Sequence, residues 1–435
     1  MVNLSGADLR GSCTINQYKN QMNFKKNMLF AGLLFVSSNL VAQVGTSFKF
    51  DFSKPKSITT YTNANGAGFD FDTNLDQPNS AFYFSVKLPE GNYQVTLNLS
   101  SAQGTFVKAE SRRLMLENVK TKAGKFISKK FVVNIKDRKI DAKTNVKLKD
   151  RELTKLDWDD KLTLEFDQYI TLKDIEIKKV ENQVTVFLAG NSTVVNGDSE
   201  PWASWGQMIP CFFKPGVAIA NHAESGLTLG SFLGSNRLDK VISVMKPGDY
   251  LFIEFGHNDQ KDKGANDGAY KSYTERLKLY IARAKAKGGI PVIVTPTARR
   301  KFDANGKMEN TLGDFPDAAR KVAASENVTL IDLNQLTTTL FNAMGEEPSK
   351  KAFVHYPANT YPGQDKALAD NTHFNTYGAY EIARCIVEGI KSAKLPLAKF
   401  LIDPRQKFNP SKPDDIAKWN WPESLRSSVV KPDGN

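Results

Sequence analysis

Apolar and polar residues alternate with a period of two through much of the segment 48–180. Every second residue is phenylalanine across 48–52, and the segment 82–88 repeats the pattern. This period is typical of strands that bury one face. The segment 82–88 leads through Pro89-Glu90-Gly91 into a second alternating segment, 93–99, so the sequence predicts a β-hairpin here.

Further strands are predicted in the same half of the chain, at 131–135, 162–166 and 170–177. Together these strands predict an antiparallel β-sandwich over 43–180. The pattern resembles the galactose-binding-like jelly rolls that accompany many polysaccharide enzymes. Two roles are open for such an accessory domain: it binds carbohydrate, or it braces the domain that follows.

After residue 180 the pattern changes to apolar strands that alternate with helical stretches such as 270–287. This alternation predicts an α/β domain over 181–395, with a parallel sheet covered by helices on both faces. The tail, 396–435, is rich in Pro, Asp and Lys, and we expect it to lie along the surface of one domain. The predicted parallel strands are 184–189, 217–220, 250–255, 290–295 and 328–333.

An export signal is predicted at 22–42. Lys25 and Lys26 precede an apolar stretch, 28–36, and Ala42 supplies a small residue at the cleavage point. The apolar stretch is too short to span a bilayer. We therefore expect a leader over 1–42, no membrane span, and an exported protein, periplasmic or extracellular. Translation from Met1 or from Met22 remains open.

The formal net charge is +12, and it falls to +9 without the leader, which carries four basic residues and one acidic residue. A basic exported protein favours an acidic partner such as a uronic-acid polysaccharide. The alternative is a charge that only keeps the protein soluble. Export and the lack of a basic recognition motif argue against a nucleic-acid partner. The oligomeric state is left open.

Two polar segments carry the candidate nucleophile, base and acid. Ser192 follows an apolar run that ends in Gly190, and Asp370 and His373 precede the last helical pattern. A serine hydroxyl needs a neutral imidazole to take its proton during attack on an ester carbonyl. A carboxylate three residues before that histidine can fix its tautomer. Alone, Ser192 would be read as a turn former or a helix cap.

With Gly256-His257-Asn258-Asp259, which follows the strand at 250–255, these segments resemble the SGNH (GDSL-type) hydrolases over roughly 184–394. The resemblance implies a carboxylic ester hydrolase with a flavodoxin-like parallel sheet sandwiched by helices. It assigns the nucleophile to Ser192, the base to His373 and the orienting acid to Asp370.

The resemblance also implies an oxyanion hole, formed by the backbone N–H groups of Ser192 and Gly226 and the side-chain amide of Asn258. The chain departs from the family at Asn191, because the first block usually reads G-D-S. Since the triad acid is Asp370, this change need not abolish activity.

The other three histidines are not assigned as bases. His222 and His257 lie beside the expected oxyanion donors, and His355 lies in a loop that also contains Tyr361. No His or Cys spacing indicates a metal site, so neither a metal nor another cofactor is expected. The possible substrate-binding residues are His257, His222, Trp202, His355 and Tyr361; for Trp202 and the nearby Trp205, packing against the sheet is the alternative.

The segments GNSTV, PWASWGQ, NHAESG and IEFGHND resemble rhamnogalacturonan acetylesterases. The resemblance implies removal of O-acetyl groups from a pectic polysaccharide through an acetyl-serine at Ser192. Leu227 departs from the fungal type, which has arginine at that position. The alternatives are an esterase of the same fold acting on acetylated xylan, another glycan or a lipid, and a non-catalytic glycan-binding protein. The acetyl position and the sugar attacked are left open.

Two cysteines follow the leader, Cys211 and Cys385. Cys385 falls on the apolar stripe of the last helix, which predicts a buried free thiol. A disulfide between the two is the alternative in an exported protein.

Overall fold

The computed structural model describes residues 47–71, 73 and 80–426. The predicted leader, 1–42, lies outside the described residues. The described part of the first half contains nine strands: β1 (Ser47–Asp51), β2 (Ala67–Asp70), β3 (Phe82–Lys87), β4 (Gly91–Ser100), β5 (Thr105–Ala109), β6 (Arg113–Val119), β7 (Ile127–Ile135), β8 (Lys161–Phe166) and β9 (Thr171–Val180).

These strands form two antiparallel sheets. The sheets and their connecting segments, the described residues of 47–180, are here called the β-region. One sheet has the order β1-β9-β4-β7 and the other β2-β3-β8-β5-β6. Alternate residues of both sheets bury a shared apolar core that includes Phe84, Val95, Leu97 and Leu164. The expected all-β region with antiparallel sheets is therefore present, and the period of two arises because each strand turns one face to that core.

The predicted hairpin across Pro89 is wrong. β3 pairs with β2 and β8, whereas β4 pairs with β7 and β9, so the chain crosses from one sheet to the other. Pro89 has no N–H to continue a ladder, and the hydroxyl of Tyr93 donates to its carbonyl at 2.8 Å. Alternation predicts a strand, but it does not identify the strand's partner.

The second half contains five parallel strands: β10 (Val184–Gly190), β11 (Val217–Asn221), β12 (Tyr250–Glu254), β13 (Ile290–Val294) and β14 (Thr329–Ile331). Their order is β11-β10-β12-β13-β14, so the chain reverses direction across the sheet at β10. Parallel α/β sheets bind ligands at the carboxyl ends of the strands beside such a switch point. The expected α/β class is confirmed.

Helices cover both faces of this sheet. Val186 and Leu188 face one apolar cluster and Phe187 and Ala189 the other, because successive side chains of a strand point to opposite sides. The helices are α1 (Trp205–Met208), α2 (Leu229–Gly234), α3 (Arg237–Val244), α4 (Thr274–Ala286), α5 (Phe315–Ser325), α6 (Leu333–Met344), α7 (Glu346–Ser349) and α8 (Thr376–Ser392).

Two short antiparallel strands, β15 (Phe353–Tyr356) and β16 (Leu368–Phe374), precede α8. The N-cap of α8 is Asn375, whose side chain accepts from Gly378 N–H at 3.0 Å. Cys211 and Cys385 are both buried free thiols.

The tail contacts both halves of the molecule, rather than one as expected. Trp419 packs on Tyr380 of α8 with a centroid distance of 4.6 Å. Further along, Lys108 of β5 donates to the carbonyl of Pro422 and to the hydroxyl of Ser424. The division into domains at 43–180, 181–395 and 396–435 stays a prediction.

Buried ion pairs join the β-region to the α/β region. Glu152, in a 3-10 turn at Asp150–Thr154, lies 2.5 Å from Arg237 of α3, and neither side chain is exposed. Lys240 of the same helix is buried 2.8 Å from Glu90. Among the described helices, none is both long and apolar enough to cross a membrane.

Candidate active site

Ser192 lies on a sharp turn at the end of β10. The carbonyl of Asn191 accepts from the N–H groups of both Val194 and Val195 at 3.0 Å, which closes the turn. A Cβ atom at Gly190 would lie 2.5 Å from the side chain of Val194, so only glycine fits before the turn. The Asn191 side chain accepts from Thr193 N–H at 3.1 Å, so the departure from G-D-S keeps an acceptor there.

A buried carboxylate, Glu254 at the end of β12, supports this turn from the next strand. It accepts from the hydroxyl of Thr193 at 2.8 Å and from Trp205 Nε1 at 2.5 Å. Burial raises the pKa of Glu254 to about 7, although the hydrogen bonds from Trp205 and Thr193 lower it. Sequence reasoning missed this residue, because a glutamate at a strand end has no distinctive spacing.

Asp370 and His373 belong to β16, and a bulge projects the histidine. Phe353 pairs with Phe374 while Val354 pairs with Asp370, so the residues between Asp370 and Phe374 leave the ladder. His373 Nε2 lies 2.8 Å from Ser192 Oγ, and its Nδ1 lies 2.8 Å from Asp370 Oδ2. The segment just before the last helix is thus a bulged strand.

Hydrogen bonds hold Asp370 as an ionised partner for His373. Its Oδ1 accepts from the N–H groups of Thr372 at 2.9 Å and His373 at 3.0 Å. Burial raises the pKa of Asp370, but the hydrogen bond and charge of His373 and these backbone groups together lower it below the usual range. A carboxylate in this state fixes the tautomer with the proton on Nδ1 and leaves Nε2 to accept from Ser192.

The expected oxyanion donors lie on two adjacent loops. Gly226 adopts a φ of 78°, in the left-handed region that favours glycine. Asn258 Nδ2 donates to the carbonyl of Leu227, the residue after Gly226, at 3.1 Å. Buried Asp259 accepts from the N–H groups of Leu229 at 2.9 Å and Gly256 at 3.0 Å, so it ties the two loops together.

Among the described residues, the backbone N–H groups of Ser192 and Gly226 have no hydrogen-bond acceptor. Their assignment as oxyanion donors stays a prediction.

A cavity of about 210 Å³ opens at Ser192 and His373. Val195, Trp202 and Ala203 supply an apolar part of its wall, and Asp198 and Ser225 supply polar groups. The β-region contributes Arg151, Thr154 and Lys155 to the same wall. In the described part of the chain, no cluster of three or more His, Cys, Asp or Glu side chains could hold a metal ion.

Comparison with known proteins agrees with this geometry. The profile of the GDSL-like lipase/acylhydrolase family matches residues 188–379. The chain is 41% identical over 225 residues to the rhamnogalacturonan acetylesterase RhgT of Bacillus subtilis (strain 168), which covers 51% of this chain and 96% of that relative. The chain belongs to the GDSL-like lipase/acylhydrolase family. It is a carboxylic ester hydrolase.

Two further proteins are similar to this chain. The probable rhamnogalacturonan acetylesterase YesY of the same organism is 35% identical over 223 residues, 51% of this chain and 98% of that relative. The crystal structure of protein YXIM from Bacillus subtilis covers 81% of this chain and 89% of that chain, at 22% identity and a TM-score of 0.46. About half of this acylhydrolase therefore lies outside each of the two sequence alignments to the acetylesterases.

Five residues were predicted as possible substrate-binding residues. Among the described residues of this acylhydrolase, Trp202 is the one of the five that lines the cavity. It is 3% exposed, so it also packs, and Trp205 lies wholly in the core. His222 is buried against Trp158 and Phe187. The roles assigned to these residues stay predictions.

The remaining three lie elsewhere around the site. His257 is buried with its Nε2 3.4 Å from the hydroxyl of Thr297, and His355 Nε2 lies 2.8 Å from Asn371 Oδ1. Tyr361 packs edge-on against Tyr356 at a centroid distance of 5.2 Å. His355 is thus linked to the segment between Asp370 and His373 by one hydrogen bond.

The acylhydrolase site also contains charged residues that sequence reasoning did not identify. Glu224, two residues before Gly226, is 2% exposed and lies 2.6 Å from Arg151 and 2.8 Å from Lys155. Burial raises the pKa of Glu224, but the charges of Lys155 and Arg151 outweigh it and lower the pKa to about 2. Lys155 and Glu224 are 69 residues apart in the chain. Nothing in the local sequence around Lys155 indicates that this side chain reaches the active site.

Proposed function

We propose that this protein is an exported carbohydrate O-acetylesterase that removes acetyl groups from rhamnogalacturonan. The observation that carries the proposal is the hydrogen-bonded series Ser192–His373–Asp370, with two successive separations of 2.8 Å at the mouth of a cavity. The names of the relatives RhgT and YesY support the choice of substrate.

In the first step the Ser192 hydroxyl attacks the acetyl carbonyl while its proton passes to His373 Nε2. The negative charge that develops on the carbonyl oxygen is stabilised by the N–H groups of Ser192 and Gly226 and by the Asn258 amide. His373 then protonates the sugar oxygen as the ester bond breaks, leaving acetyl-Ser192. Water, deprotonated by His373, releases acetate and restores the serine.

The cavity wall and the net charge of the protein support an acetyl ester of an acidic polysaccharide as the substrate. Trp202 and Val195 give the cavity an apolar wall, against which the methyl group of an acetyl ester can pack. The formal net charge of +9 that remains without the predicted leader favours an acidic polymer such as a pectic polysaccharide.

The proposal includes two features of the whole protein. The leader pattern at 22–42 supports export to the periplasm or the exterior. The two antiparallel sheets of the β-region support a galactose-binding-like jelly roll.

The test is acetate release from acetylated rhamnogalacturonan and, in parallel, from acetylated xylan. We expect release from the pectic polymer by the wild type, and a fall to below about a thousandth of it in Ser192→Ala, because the nucleophile is removed while the turn remains. Ser243→Ala, on α3 and outside the cavity, is the matched control and should keep full activity.

Each other outcome changes the proposal in a defined way. Release from xylan alone would retain the hydrolase and overturn the substrate. No release from either polymer would overturn the acetylesterase and favour a glycan-binding protein. Full activity in Ser192→Ala would overturn the assignment of the nucleophile.

A further inference from the structure

The loop that carries the expected oxyanion donor Gly226 is held by cations of the β-region. Lys149 Nζ donates to the carbonyl of Ser225 at 2.7 Å, and Arg151 Nη2 donates to the same carbonyl at 3.0 Å. Both residues belong to the segment 149–155, which contains the 3-10 turn Asp150–Thr154. The Ser225 carbonyl therefore accepts from two positively charged groups.

This carbonyl and the Gly226 N–H belong to one peptide unit. Because a trans peptide is planar, its C=O and N–H point in opposite directions, and fixing one fixes the other. Two cations on the Ser225 oxygen thus set the direction of the Gly226 N–H. They also polarise the peptide, which strengthens its N–H as a donor.

Glu224 connects the same cations to the nucleophile strand. Its backbone N–H donates to the carbonyl of Gly190 at 3.3 Å, and its carboxylate accepts from Ser225 N–H at 3.0 Å. Arg151 at 2.6 Å and Lys155 at 2.8 Å bind the two oxygens of that carboxylate. The end of β10 and the Gly226 loop are therefore fixed relative to each other through Glu224, whose buried carboxylate pairs with both cations.

We propose that Lys149 and Arg151 are positioning residues for catalysis, which orient the Ser225–Gly226 peptide so that its N–H binds the oxyanion. The β-region then contributes to catalysis, because it supplies the two side chains that orient this peptide. This inference rests on the proposed function, because it takes Gly226 N–H as an oxyanion donor.

The test uses p-nitrophenyl acetate, a small neutral ester that requires no recognition of a polysaccharide. Lys149→Met and Arg151→Met in the full-length protein should each lower kcat about tenfold, and the double variant about a hundredfold, since loss of one complete oxyanion donor costs about 10²–10³. KM should change less than about threefold, because the donor acts mainly in the transition state. Arg151→Lys retains a cation and should recover most of kcat.

Lys240→Met is the matched control. Lys240 also joins the two regions through a buried ion pair, to Glu90, but it does not line the Ser192 cavity. It should lower the thermal stability and leave kcat at the wild-type value. If Lys240→Met is insoluble, Glu90→Gln weakens the same pair from its more exposed side.

Three results separate the possible explanations. Unchanged kcat in the Lys149→Met/Arg151→Met double variant would overturn the positioning role. A higher KM on acetylated pectin with normal kcat on p-nitrophenyl acetate would instead assign the two cations to polymer binding, and so also overturn it. Wild-type turnover of p-nitrophenyl acetate without acetate release from either polymer would overturn the proposed substrate class and leave the positioning role standing.

Discussion

At the scale of single residues, the candidate site depends on what each polar group is paired with. Ser192 lies within 2.8 Å of His373, although the two residues are 181 positions apart in the chain. Asp370 is the decisive partner, because it accepts from His373 Nδ1 and so leaves Nε2 to receive the serine proton. The sequence predicted all three residues from their spacing and family resemblance.

Asp370→Asn tests this pairing. The amide keeps the size and the Oδ1 acceptor of the aspartate, but its N–H₂ group would face His373 and favour the tautomer with the proton on Nε2. We expect kcat on p-nitrophenyl acetate to fall by a factor on the order of 10³–10⁴, with the folded structure retained. Asp365→Asn, an exposed change in the same segment, is the control; a fall of less than tenfold in Asp370→Asn would contradict the assignment.

At the scale of elements, the strand β10 and its turn depend on the neighbouring strand β12. Glu254 supports Thr193 and Trp205 from a position that is almost completely buried. The strands themselves follow from apolar runs that the sequence shows clearly. The supporting role of Glu254 does not follow from the sequence, because a buried carboxylate is recognised only when its burial and its hydrogen-bond partners are known.

Glu254→Gln tests whether the Glu254 carboxyl has a raised pKa in the folded protein. The folded pKa of Glu254, about 7, is above its ordinary value, so its proton stabilises the fold fully below about pH 4.5 and this contribution is lost as the pH rises through 7. The free energy of unfolding of wild type minus that of Glu254→Gln should therefore fall by on the order of 3 kcal/mol between pH 4.5 and pH 8. Urea unfolding at several pH values measures it, and a difference that rises with pH would contradict the raised pKa.

The bulge in β16 is a second case at this scale. The sequence predicted no strand just before the last helix, and the structure has one, from which the residues after Asp370 project. The segment lacks a strong period of two, so its pairing with β15 was not recognisable. Pairing on both sides of the bulge holds Asp370 and Phe374 firmly and turns His373 toward Ser192.

At the scale of the whole molecule, the β-region and the α/β region share buried charges. Arg237 and Glu152 are both fully buried where the two regions meet, and Arg237 also donates to the carbonyl of His222. Removing one member of a buried pair leaves the other charge without its counterion in a site that excludes water.

Glu152→Ala should therefore lower the free energy of unfolding by on the order of 3–5 kcal/mol. Glu347→Ala, which removes an exposed partner of Lys350, is the control and should leave the unfolding curve close to that of the wild type. Denaturant titration of the two variants beside wild type makes the comparison. An equal, small effect of both changes would show that the Arg237–Glu152 pair contributes no more than a surface pair.

The sequence by itself determined the features that depend on neighbours in the chain. The period of two, the apolar parallel strands, the glycine before Ser192 and the spacing of Asp370 and His373 are all local patterns, and each predicted an element or a role. Only the tertiary structure decided that β3 and β4 lie in different sheets and that Lys149, Arg151 and Lys155 reach the Gly226 loop. These contacts join residues far apart in sequence, where the pairing depends on how whole sheets pack and no local pattern records it.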